Sequence, residues 1–281
     1  MKQIVMLVLA AAAACAQGQI DFSKVEIKTT KVGNNFYTLE GSGGMIGVLA
    51  GPDGVLMVDA QYAPLTQKIV AAVRQISTLP IRFLINTHVH PDHTGGDENL
   101  GKMGVTIIAR DEVRARLKVP PAGLPLITYE GSLTFHMNGE EVDLIPVLRA
   151  HTDGDTLVHF PGLDVLMTGD FYRSVQYPNI DRANGGTLNG LVDALGVVIG
   201  MSGPNTKIIP GHGPTVDRTA VMAQRDMILV MKDRVAELIA QGKSVEEVVA
   251  SKPTADYDAH VQEVATTGDR FVGQLYAELK K

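Results

Sequence analysis

The segment Thr87-His88-Val89-His90-Pro91-Asp92-His93-Thr94-Gly95-Gly96 constrains this chain more than any other stretch. It follows the apolar run Arg82–Asn86, which reads as a buried strand. His88 and His90 are two residues apart, so extended backbone points both imidazoles to one side. Pro91 starts a turn that carries Asp92 and His93 toward a second position. Gly95-Gly96 lets the chain pass closely into the next helix. Four imidazole and carboxylate groups within six residues at a strand end are costly to bury without a cation. Whatever fold forms must therefore place a strand edge against a metal and draw further ligands from elsewhere.

Three more segments have the same form. His151 follows the strand Asp143–Leu148, in Ala150-His151-Thr152-Asp153-Gly154-Asp155. Asp170 ends the run Val165-Leu166-Met167-Thr168-Gly169-Asp170, and His212 ends Ile208-Ile209-Pro210-Gly211-His212. Five of the eight histidines fall in this pattern; His136 and His159 lie in strands and His260 in the tail, where they read as structural or solvated. Imidazole and carboxylate suit zinc at catalytic sites, which keep a position open for water. Iron is the alternative on the same ligand types. The single cysteine, Cys15, falls in a leader, so the mature chain has no internal disulfide, no thiolate ligand and no cysteine nucleophile.

Around these clusters the first half alternates apolar strands with turns: Val25–Lys31, Asn35–Glu40, Met45–Ala50 and Val55–Asp59, the last two joined by Pro52-Asp53-Gly54. Leu65, Ile69, Val73 and Ile76 recur at helical spacing within Pro64–Ser77. After Arg82–Asn86 and a second βα pattern, strands are expected at Ser132–Met137, Glu141–Val147, Thr156–Phe160, Asp164–Thr168 and Lys207–Ile209, with a helix over Leu188–Ile199. Strands interleaved with helices indicate a mixed α/β domain. From Arg218 onward the pattern is helical, over Thr219–Gln241 and Thr254–Lys280. Between them Ser244-Val245-Glu246-Glu247 forms a capping box. The division expected is a leader at 1–16, a domain over 20–217 and a helical extension over 218–281 packed on it.

Lys2 and the apolar run Ile4–Ala14 read as a secretory leader, too short for a permanent membrane span. Cleavage near Gln17 is one reading. The other is a lipoprotein-like box, Ala12-Ala13-Ala14-Cys15, with Cys15 lipidated. Either way the mature protein is expected in the periplasm or outside the cell. A net charge of −6 argues against nucleic acid as a partner and leaves a small-molecule substrate.

The spacing of the ligand clusters resembles the metallo-β-lactamase superfamily over roughly Val25 to Pro214. The resemblance implies an αββα sandwich of two mixed β-sheets covered by helices, with metals at one edge. It implies one zinc on His88, His90 and His151, a second on Asp92, His93 and His212, and Asp170 bridging both. Two such ions polarise an acyl or phosphoryl oxygen and lower the pKa of water to about 7. Asp92 and Asp170 are then the catalytic carboxylates, Asp92 also orienting the attacking water. Asp59, at the end of Val55–Val58, resembles the family's aspartate that orients a ligand. Arg173 stands three residues after Asp170, where the β-lactamase branch places a cation for the substrate carboxylate. Asn184, in Ala183-Asn184-Gly185-Gly186-Thr187, is similar to that branch's asparagine loop and would donate to an oxyanion. The branch carries cysteine where this chain has Asp170, an aspartate shared with thioester hydrolases, lactonases and phosphodiesterases. The expected activity is therefore hydrolysis of a small cyclic amide or ester, β-lactam first. The alternatives are a lactonase, esterase or phosphodiesterase, an iron-dependent dioxygenase, or a metal-binding protein without catalysis.

Overall fold

Alternation of side chains builds the layers. In the computed structural model, which describes residues 20–280, β1 (Lys28–Lys31), β2 (Phe36–Glu40), β3 (Ile46–Gly51) and β4 (Gly54–Val58) form an antiparallel meander. The turn into β4 uses Gly54 at φ 103°, a conformation open to glycine. β5 (Ile81–Ile85), β6 (Thr106–Arg110) and β7 (Ile127–Tyr129) continue the sheet in parallel. The crossovers carry α1 (Thr66–Ile76), α2 (Pro91–Thr94), α3 (Asp97–Lys102) and α4 (Asp111–Arg116). The second sheet has the order β12-β11-β10-β9-β8, from β8 (Leu133–Met137), β9 (Glu140–Pro146), β10 (Thr156–Phe160), β11 (Val165–Met167) and β12 (Lys207–Ile209). Only its β11–β12 pair is parallel, so both sheets are mixed.

Because successive side chains of a strand point to opposite faces, β4 serves two cores. Leu56 and Val58 face the second sheet and meet Leu144, Val158, Phe160 and Met167. Val55 and Met57 face outward, against Leu65, Ile69 and Val73 of the α1 layer. The outer face of the second sheet, with Leu157, Leu166 and Ile208, is covered by α5 (Leu188–Met201), α6 (Arg218–Ala240) and α8 (Val264–Leu279). The result is the expected αββα sandwich. Pairing of Asp53 with Asn138, through two hydrogen bonds of 2.7 and 2.9 Å, ties the turns of the two sheets together at the far end.

Several boundaries differ from the sequence expectation. The first strand is shorter, Lys28–Lys31 rather than Val25–Lys31. The capping box at Ser244 is present and opens α7 (Val245–Ala250). The last helix, expected from Thr254, begins only at Val264. Its first stretch is held otherwise: the Gln262 and Glu263 N–H groups both donate to the Val175 carbonyl, at 3.1 and 3.2 Å, and Tyr177 Oη donates to Asp258 Oδ1 at 2.7 Å. Backbone donors committed to a neighbouring loop cannot lie inside a helix running on from Thr254, though they can precede its first turn. Among the described residues no helix is long and apolar enough to cross a membrane. The leader expected over Met1–Ala16, with Cys15, lies outside the described residues.

Candidate metal centre

Seven side chains converge where the two sheets share an edge. The loop after β5 and the short helix α2 bring His88, His90, Asp92 and His93; Pro91 opens that helix, where its missing N–H costs nothing. His151 follows β9, Asp170 follows β11 and His212 follows β12. His88, His90, His151 and Asp170 form one group, and Asp92, His93, Asp170 and His212 a second. In each group one ligand atom per residue lies within 4.8 Å of all the others. Each group takes two side chains from the β5 loop and two from the second sheet, and Asp170 belongs to both.

The far nitrogen of most of these rings is anchored. His93 Nδ1 donates to Asp59 Oδ2 at 2.7 Å, and the same carboxylate accepts from the Thr87 hydroxyl at 2.7 Å and the Thr87 N–H at 2.8 Å. Thr87 Oγ1 in turn lies 3.1 Å from His88 Nδ1. His90 Nε2 donates to Asp181 Oδ2 at 2.7 Å, and His151 Nδ1 to the Asn179 carbonyl at 2.7 Å. These bonds fix ring orientation and tautomer. The nitrogens turned inward tell the complementary story. His88 Nε2, His93 Nε2, His212 Nε2 and Asp170 Oδ1 are buried without a hydrogen-bond partner. Leaving so many polar atoms unpaired costs several kcal/mol, roughly 1–3 for each. Divalent cations accepting these lone pairs remove that cost, and the set of imidazoles and carboxylates fits zinc.

The electrostatics are those of a site built around positive charge. Burial pushes the His88 imidazole well below its usual range and takes His151 down to about 3, keeping both neutral and able to ligate. Burial also opposes charge on His93, but Asp170 and Asp59 outweigh it and raise this ring well above its ordinary value. Burial disfavours ionised Asp92, yet the His212 ring 3.0 Å away and the charge of His93 hold it at about 2. Glycine backbone closes the floor. A Cβ at Gly44 would collide with the His93 ring, and one at Gly211 with Asp170 Oδ1.

Arg173 and Asn184, expected at the substrate, are turned to other partners. The Arg173 side chain is about 10% exposed and donates to Asp170 Oδ2, with its other amino group on Gln176 Oε1 at 2.7 Å. A buried carboxylate draws the guanidinium inward. Asn184 Nδ2 donates to Asp181 Oδ2 at 2.6 Å, and its carbonyl accepts from Arg116 at 3.4 Å. Its amide is therefore spent on the carboxylate that steadies His90. Asp59 lies where the sequence expects it, beside a ligand. Asp181 and Thr87 went unread; Asp181 is three residues before Asn184, and only the folded loop reveals its histidine. Tyr62 was also missed. Burial and the charges of Asp92 and Asp170 raise its hydroxyl above the ordinary range, so it stays protonated. A groove of about 290 Å³ opens beside His212, lined by Met45, Val175, Pro214, Gln262 and Glu263.

Comparison with known proteins places this geometry among relatives. The family model described as the metallo-beta-lactamase superfamily matches residues 39–240. A metallo-beta-lactamase type 2 from Bacillus cereus is 21% identical over 182 residues, which is 64% of this chain and 71% of that protein. The structure of a metallo-beta-lactamase from Pontibacter korlensis superposes with a TM-score of 0.64 at 18% identity, covering 73% of this chain and 99% of the other. A stereoselective inverting sec-alkylsulfatase from a Pseudomonas species gives a TM-score of 0.73 at 18% identity, covering 89% of this chain but 50% of its own.

Proposed function

This chain belongs to the metallo-β-lactamase superfamily, and from that premise we propose that it is a zinc-dependent hydrolase with two metal positions, cleaving a small cyclic amide or ester. The observation that carries the reading is the pair of four-residue groups sharing Asp170, with unpaired buried nitrogens aimed into them. His88, His90 and His151 would hold one ion, Asp92, His93 and His212 the other, and Asp170 both. When bound, two such ions supply Lewis acidity and a water whose pKa is lowered to about 7.

The remaining chemistry belongs to the side chains. Asp170 is fully buried and keeps the two groups in register. Asp92 is the carboxylate on the open side, about 18% exposed, with its Oδ2 at 3.0 Å from His212 Nε2. In this reading it would orient the attacking water, hold the proton released there and return it to the leaving nitrogen or oxygen. The groove beside His212 takes the substrate. Substrate from the periplasm or the medium reaches it, on the reading of Met1–Ala16 as a leader.

A β-lactam is the first substrate to test, supported by the metallo-beta-lactamase relatives. A neutral lactone or ester is the second reading. It is favoured by Glu40 and Glu263 among the groove residues, none of which is Lys or Arg, and by the inward Arg173. Protein purified without chelator is expected to carry about two zinc ions per chain, as seven ligands exceed one tetrahedral site. Elemental analysis checks this, with turnover of a chromogenic β-lactam, a lactone and a phosphodiester measured alongside. A single iron with oxygen consumption would replace this reading by an oxygenase. Two zinc ions without turnover of any acyl or phosphoryl ester would leave a metal-binding protein.

A further inference from the structure

Two of the anchoring acceptors, the Asn179 carbonyl and the Asp181 carboxylate, lie in Tyr177–Asp181, a stretch with neither strand nor helix. A segment without its own ladder of hydrogen bonds holds nothing at a fixed point unless another element satisfies its backbone. The Asp181 N–H is given to the His151 carbonyl at 2.9 Å, and for the residues before it that element is α8. Thr267 Oγ1 accepts from the Tyr177 N–H at 3.2 Å. Arg270 Nη2 donates to the Tyr177 and Pro178 carbonyls at 3.3 and 3.5 Å. Gln274 works from both ends: its Nε2 donates to Asn179 Oδ1 at 2.7 Å, and its Oε1 accepts from the Ile180 N–H at 3.0 Å. One turn further, Glu278 accepts from the Leu188 N–H at 3.0 Å and pairs with Arg182 at 2.8 Å. Positions 267, 270, 274 and 278 form a single stripe along a helix. Beside it the Phe271 ring stacks on Tyr177, 5.9 Å between centroids.

We propose that α8 is a splint for the metal centre: its polar stripe grips Tyr177–Asp181 and through it orients the rings of His151 and His90. The proposal rests on the two-metal reading above. Its consequence is asymmetric. His151 and His90 belong to the same group, with His88 and Asp170. His93 is oriented by Asp59, from the end of β4, and owes nothing to α8. The helix lies wholly after residue 240, where the family match ends. Thr267, Arg270 and Gln274 are positioning residues, since none is among the clustered ligands or the groove residues.

The test uses the full chain and reads metal affinity. Zinc and cobalt(II) are titrated against a competing chelator to give two dissociation constants, and the cobalt spectrum reports each position's geometry. For Gln274→Ala combined with Thr267→Ala, the three-histidine position is expected to weaken by about tenfold, the low end of the effect of losing a ligand's outer partner, because the two partners are loosened and not removed. The Asp92–His93–His212 position should stay within about twofold, outside that range. Gln274→Glu should recover most of the loss, because it keeps the acceptor for Ile180 and the Asn179 amide can turn its NH2 toward the new carboxylate. Val272→Ala, buried in the same helix but off the stripe, lowers Tm and should move neither constant. Equal weakening at both positions, or the same pattern in Val272→Ala, would reduce α8 to general support and overturn the splint, as would two unchanged constants in the double variant. A parent protein that binds no metal overturns the two-metal reading itself, a result distinct from any of these.

Discussion

Arg173→Ala removes the guanidinium that Asp170 and Gln176 share, and the burial of that pair sets the size of the effect. Both members are shielded, with side chains 10% and 0% exposed. Without the arginine, Asp170 Oδ2 faces His88 Nε2 at 3.6 Å and His151 Nε2 at 3.7 Å, rings whose neutral form burial favours, while Oδ1 keeps His93 Nε2 at 3.2 Å and His212 Nε2 at 3.3 Å, rings that, against burial, Asp170 itself holds above their ordinary range. Breaking a buried pair from one side costs about 3–5 kcal/mol when the charge left behind is uncompensated, and the two rings at Oδ1 put this case at the low end. The metal-free protein should lose about that much unfolding free energy, a large part of the roughly 5–15 kcal/mol a domain has. With metal present the loss should shrink, because cations at Asp170 supply the missing positive charge. Urea unfolding with and without chelator measures both. Kinetics give the second arm. Since Arg173 steadies Asp170 rather than substrate, kcat/KM should fall by the same factor on a carboxylated β-lactam and on an uncharged lactone. Arg173→Lys should recover part, lacking the planar fork. Unchanged metal-free stability, with a loss confined to the carboxylated substrate, would refute this reasoning and return the guanidinium to the substrate.

Asp59→Ala removes three hydrogen bonds to Thr87 and His93, and should weaken metal at the His93 position by about 10–100-fold in chelator competition; an unchanged constant would make Asp59 a turn residue only. Asp97 is buried, and burial, assisted by the charge of Asp59, raises its carboxyl well above the ordinary range. A raised folded-state value means its proton is held more tightly in the folded chain. The stabilisation is complete below about pH 3.9 and is lost as pH rises toward the folded value. Asp97→Asn in metal-free protein should therefore gain on the parent as pH increases above about 4, and a pH-independent difference in urea midpoints would contradict it.

The clustering of the seven side chains was legible because each segment follows an apolar strand, and a strand's end is fixed by its own pattern. His88 and His90 share a side by strand geometry alone, and Asp170 and His212 end β11 and β12, parallel neighbours. The layers were legible for the same reason: Leu56 and Val58 alternate with Val55 and Met57. What the sequence hid depends on contacts between distant loops. Arg173 has the right spacing for a substrate anchor, but its direction is set by Asp170, a charge whose burial no local pattern reveals. Asn184 turns to Asp181 because Arg116, from α4, holds its other end. The start of α8 was misplaced since Gln262 and Glu263 look helical until Val175 takes their N–H groups.

The even split of each ligand group between the two sheets has a consequence for assembly. A chain that has produced only β1 to β7 offers a pair of side chains for either ion, and a pair holds a divalent ion poorly. The remaining pairs arrive with β9, β11 and β12, His212 last of all. Tight capture therefore comes after the meeting of the two halves and reports that it has happened with every strand in register. An error of one residue in β11 would turn Val165, Leu166 and Met167 to the opposite faces and carry Asp170, which follows them, out of both groups at once. Chelation then acts as a check on the finished fold, and a misassembled chain would be recognisable as one that stays empty in the presence of metal.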